Sequence, residues 1–175
     1  MSVDPAVLGR HDIETSDAME QLGRRIGERL EAGDLLILTG PLGAGKTTFT
    51  RGLAEGLGVR GPVQSPTFVI ARTHPSLVGG APLVHVDAYR LGSGAELEDL
   101  DLDLVRSVVV IEWGRGMAEE LADSWWDIEL ERPVGADGED DLDPSELDAD
   151  APRHVTITRA SRSGTVDGGA TTLEG

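Results

Sequence analysis

The spacing of apolar positions changes along the chain, and each spacing assigns an element. In residues 15–30, Met19, Leu22, Ile26 and Leu30 recur three and four apart, which predicts one buried stripe of an amphipathic helix. Thr15, Ser16 and Asp17 all suit its N-cap, and Asp17 with Glu20 has capping-box spacing. Arg24, Arg25 and Arg29 fall on or near its polar side, where solvation is enough to explain them. Continuous apolar runs at 34–39 and 108–112 suit buried strands, the second being the most hydrophobic and therefore central. Residues 68–73 and 83–87 read as two further strands, paired antiparallel across a turn at Gly79 and Gly80. Residues 126–131 and 153–158 alternate with period two, as half-exposed strands that pair with each other do. Helices are expected at 47–57 and, briefly, at 117–123, with 92–104 turn-like and then partly helical.

Two segments have nothing to bury. Residues 135–150 hold eight acidic side chains, and 161–175 are small, polar and glycine-rich. The expected organisation is one domain over 1–160 with an acidic mobile loop at 135–151, followed by a disordered tail from 161 to 175. Asp137, Glu139 and Asp141 alternate, but the spacing of a calcium-binding loop is not met.

The stretch at 38–49 turns pattern into chemistry. Gly40, Gly45, Lys46 and Thr47 satisfy G-x-x-x-x-G-K-[ST], between a predicted strand and a predicted helix. Backbone N–H groups of such a turn converge on phosphate oxygens, and the helix adds its positive dipole end. Lys46 is the only lysine in the chain, kept where a compact ammonium suits the β- and γ-phosphates; it is expected to face solvent. The Thr47 hydroxyl suits Mg²⁺. The fold class that follows is α/β and P-loop NTPase-like: a mixed, mostly parallel central sheet flanked by helices, with a C-terminal antiparallel hairpin.

Such a site needs a carboxylate at a strand end. Asp87 closes one predicted strand and Glu112 another, each also readable as a plain surface carboxylate. Thr67, after Ser65-Pro66, is either a switch-type hydroxyl or a strand-entry threonine, and His85 alternates with valines as a structural residue would.

Composition narrows the partners. A formal charge of −17 argues against direct grip on a nucleic acid backbone. Without cysteine there is no disulfide, thiolate metal site or cysteine nucleophile, and without asparagine the usual asparagine-lysine guanine reader is impossible, which favours adenine. No long apolar run or leader-like start is seen, so a cytoplasmic protein with no membrane contact is expected.

Ser65-Pro-Thr-Phe68, His85-Val-Asp-Ala-Tyr-Arg-Leu91 and Ile111-Glu-Trp113, following Gly43-Ala-Gly-Lys-Thr-Thr48, together resemble the TsaE (YjeE) family over about residues 13–132. The resemblance implies a P-loop ATPase of transfer RNA threonylcarbamoyladenosine synthesis. Such a protein binds ATP or ADP with Mg²⁺ and hydrolyses ATP slowly. It would work in a complex with TsaD and TsaB and meet the RNA only indirectly. Carried across, the loop residues Leu42, Gly43, Ala44, Gly45, Lys46, Thr47 and Thr48 hold the nucleotide, with Thr15, Thr67 and Trp113 close by. Thr47 and Glu112 stand at the Mg²⁺, and Lys46, Asp87 and Glu112 carry catalysis. The acidic stretch departs from the family's short hairpin turn, so late-chain contacts such as Arg153 are not carried across. A small-molecule P-loop kinase is the alternative, though Arg115 and Arg132 are too scattered to mark a lid. A nucleotide sensor that never hydrolyses is disfavoured by the presence of both Asp87 and Glu112.

Overall fold

A computed structural model describes residues 5–64, 70–133 and 152–164. In chain order these form β1 (Gly9–Ile13), α1 (Ser16–Gly27), β2 (Leu35–Thr39), α2 (Lys46–Leu57), β3 (Ala71–His74), β4 (Leu83–Asp87), α3 (Gly94–Glu98), β5 (Val108–Glu112), β6 (Ser124–Glu131) and β7 (Arg153–Ser161). The strands make one seven-stranded sheet in the order β1-β7-β6-β2-β5-β4-β3. Its middle, β6-β2-β5-β4, is parallel. Antiparallel pairs extend it on both sides: β3 against β4, and β7 between β6 and β1. The mixed sheet, the C-terminal antiparallel pair and the flanking helices are therefore as expected.

The reason lies in which strands can be covered twice. β2 and β5 are buried along nearly their whole length, as continuous apolar runs require. Leu36, Leu38, Val108 and Val110 face a core shared with Leu22, Ile26, Phe49 and Leu53 of α1 and α2. Leu35, Ile37, Val109 and Ile111 face a second core with Leu97 and Ala118. The two helices on the first face approach very closely. A Cβ added at Gly23, Gly27, Gly52 or Gly56 would lie 2.0–2.2 Å from a carbonyl oxygen of the opposite helix, so only glycine fits at this contact. Arg24 bridges the same pair by an ion pair to Glu55.

Four differences from expectation stand out. α1 stops at Gly27 and is capped at Glu28, so Leu30 is buried beyond the helix. The helix expected at 117–123 is only a 3-10 turn, Ala118–Glu120: a segment this short, between two strands, closes one turn and no more. β7 runs to Ser161 with a turn to 164, because Ser161 still pairs with Ser124, although 161–164 are expected to belong to the tail. β1 has no apolar period to predict it; its sequence, Gly-Arg-His-Asp-Ile, buries only its last residue. The acidic stretch 135–151 and residues 165–175 lie outside the described residues, as does Thr67.

Candidate functional site

Residues 40–45 join the carboxyl end of β2 to the first turn of α2. Gly43 (φ 76°) and Gly45 (φ 101°) adopt left-handed conformations that turn the chain back onto the helix start. The Ala44 N–H donates to Pro41 O at 3.1 Å, and the Ala44 methyl is buried in the first core. The loop is held from two sides. Seen from Gly45, the Met19 methyl of α1 would meet an added Cβ at 3.1 Å and the Arg153 side chain of β7 at 3.7 Å. Arg153 also donates to Gly43 O from Nε (3.3 Å) and Nη2 (3.0 Å).

Arg153 is the site residue that sequence reasoning leaves unassigned. One signal is present: Arg153, Val155 and Ile157 share one parity, and a charge in that buried slot calls for a partner. Here the partner is the loop itself.

Lys46 does not face solvent; it is only 8% exposed. Its Nζ donates to Gly40 O at 2.5 Å and Pro41 O at 3.2 Å, and lies 4.1 Å from the centre of the Trp113 ring. Two carbonyls and an aromatic face thus take the place of water around the ammonium. Burial pushes its pKa below the ordinary value, against the raising effect of Glu112 and Asp87.

Glu112 and Asp87 are direct partners in the β4–β5 register, at the carboxyl ends of adjacent parallel strands. Leu38, one residue before the end of β2, is paired with Glu112 from the other side. By strand alternation, Glu112 shares the face of Val108 and Val110, the face covered by α1 and α2. It is 2% exposed, and its Oε1 has no hydrogen-bond partner among the described residues. Asp87 is half-buried, and its Oδ1 accepts the Tyr89 N–H at 3.0 Å. Trp113 follows with φ 61°, a left-handed conformation unusual for a bulky residue. Its N–H is tied to Leu38 O at 3.2 Å, and Tyr89 meets its ring edge-on at 5.3 Å.

The remaining candidates gather less tightly. Thr47 and Thr48 are half-buried in the first turn of α2, and Leu42 stands 78% exposed at the loop tip. Thr15 is exposed; its hydroxyl caps α1 by accepting the Ala18 N–H at 3.1 Å, one turn before Met19 reaches the loop. A cleft of about 640 Å³, lined by Thr39, Gly40, Pro41, Trp113, Leu130 and Pro133 among others, adjoins the loop. No three histidines or carboxylates cluster as a cage for a metal among the described residues. The Glu112 carboxylate and the Thr47 hydroxyl are oxygen donors of the kind Mg²⁺ accepts, since that ion takes few protein ligands beside phosphate and water.

Residues 13–137 match the family model described as "Threonylcarbamoyl adenosine biosynthesis protein TsaE". A Streptomyces coelicolor protein named tRNA threonylcarbamoyladenosine biosynthesis protein TsaE is 58% identical over 143 residues, 80% of this chain and 89% of its own length. A Mycobacterium leprae protein of the same name is 50% identical over 120 residues, 63% of this chain and 74% of its own. Among solved structures, Bacillus subtilis YdiB superposes with a TM-score of 0.62 at 29% identity, covering 88% of this chain and 86% of that one.

Proposed function

The chain belongs to the TsaE family of tRNA threonylcarbamoyladenosine biosynthesis, and from that premise we propose that it is the pathway's Mg²⁺-dependent ATPase. The observation that carries this reading is the register pairing of Asp87 with Glu112 at the mouth of a phosphate-type loop. A carboxylate that is only 2% exposed there is hard to explain as packing.

In this reading the loop N–H groups and the α2 dipole receive the β-phosphate. Lys46 leaves the Gly40 and Pro41 carbonyls for the β- and γ-phosphate oxygens, a move favoured because its ammonium is short of water where it sits. Thr47 and Glu112 hold Mg²⁺, which when bound neutralises charge on the transferred phosphoryl group. Asp87 orients the attacking water, so that the γ-phosphoryl–oxygen bond breaks to give ADP and inorganic phosphate. Trp113, fixed between Lys46 and Tyr89, walls the site. Turnover is slow in the isolated chain, and TsaD and TsaB are the partners that use or accelerate the step.

The test is ADP release from the purified chain, alone and then with TsaD and TsaB. Slow release alone and faster release in the presence of both partners is expected. Turnover that needs a small-molecule acceptor and ignores the two proteins would favour a kinase instead.

A further inference from the structure

His85 lies on β4 two residues before Asp87 and is 0% exposed. Its parity puts it on the face covered by α1 and α2, with Leu83. Its register partners are Val110 on β5 and Arg72 on β3, and an imidazole with no exposure must find partners or lose its hydration without return. Neither ring nitrogen has a hydrogen-bond partner among the described residues. The nearest opposite group is the Oε1 of Glu112, 3.6 Å from Nε2, and it too lacks a partner. Two buried polar groups facing each other, at a distance one small carboxylate rotation would close, are complementary.

We propose that His85 is the positioning residue of Glu112. Its Nε2–H donates to Oε1 and fixes the carboxylate plane, which leaves the second oxygen for Mg²⁺. Ligating carboxylates are commonly held by such a second contact, and losing it weakens the metal about 10–100-fold. The inference rests on the reading of Glu112 as a Mg²⁺ holder, and the controls separate the two.

The experiment titrates Mg²⁺ at fixed ATP and follows nucleotide binding, not turnover, for wild type, Glu112→Gln, His85→Leu and His85→Gln. Thermal midpoints and ATP affinity in EDTA are measured alongside. His85→Leu is expected to raise the Mg²⁺ midpoint about tenfold, with affinity in EDTA and the thermal midpoint held. His85→Gln, whose amide N–H can reach the same oxygen, brings the Mg²⁺ midpoint back toward wild type. A shift in Glu112→Gln with none in His85→Leu overturns the positioning role alone. A fall in thermal midpoint without a Mg²⁺ shift makes His85 a packing residue and likewise overturns that role. No shift in Glu112→Gln removes the reading of Glu112 and this inference with it. His85→Met serves as the apolar variant if leucine does not fold.

Discussion

Lys46 carries a charge that its surroundings disfavour. Desolvation outweighs the pull of Glu112 and Asp87, so its pKa in the folded chain lies below 10.5. The unfolded chain therefore binds a proton that the folded one releases more readily, and stability rises with pH through the interval ending near 10.5. Below that interval both states are protonated and the full penalty is present; above it the penalty is gone. Lys46→Met removes the charge and keeps the volume. The variant is expected to be at least as stable as wild type at neutral pH, with wild type gaining on it as pH rises toward 10.5. Denaturant unfolding of both proteins across that range checks the sign, and a variant much less stable at neutrality would make Lys46 a net structural support. The residue's place in the motif is readable from spacing alone. Its burial is not, because it depends on Trp113, whose contact with Nζ comes from a strand end distant in sequence. Arg153 escapes for a similar reason: its partner, Gly43 O, lies across a segment of 110 positions.

At the scale of elements, the contact between α1 and α2 sets where the loop can sit. Met19 of α1 touches the loop at Gly45, and α2 starts from it, so the spacing of the helix pair fixes two sides of the cradle. Gly52→Val places a side chain 2.0 Å from Glu20 O and must push the helices apart. A loss of about 1–3 kcal/mol is expected, as for other overpacked contacts. Gly80→Ala, whose added Cβ meets nothing nearer than 3.7 Å, is expected to be near neutral. Equal effects in chemical denaturation would show that the close contact carries no strain. The elements legible in the sequence are those with one strong periodicity: β2 and β5 as unbroken apolar runs, α1 as a stripe, β6 and β7 as alternations. β1 escapes because an edge strand pairing along one side needs backbone partners more than apolar side chains, and its register with β7 supplies them. The glycines of the helix pair look like helix breakers in isolation; only the partner helix explains them.

For the molecule as a whole, the buried His74 contributes to the response to pH. Burial pushes the pKa of His74 below 6.5, against the smaller raising effect of its Nδ1 contact with the Arg60 carbonyl. The unfolded chain then takes up a proton near 6.5 that the folded chain resists, so stability falls as pH drops below that value. His74→Gln keeps a polar contact but does not titrate. Its stability is expected to decline less than that of wild type on acidification, which thermal midpoints between neutrality and mildly acidic pH measure. No helix among the described residues is long and apolar enough to cross a membrane.

Asp87 and Glu112 bring the three scales together: two residues, two adjacent strand ends and one function. Calorimetric titration of ATP into Asp87→Asn and Glu112→Gln, each with Mg²⁺ and with EDTA, tests that function most directly. Glu112→Gln is expected to bind about tenfold more weakly in Mg²⁺ and like wild type in EDTA, whereas Asp87→Asn binds like wild type in both and loses only turnover. Binding of ATP by Glu112→Gln as tightly as wild type in Mg²⁺, or a Mg²⁺-dependent loss in Asp87→Asn alone, would contradict the assignment of the metal to Glu112.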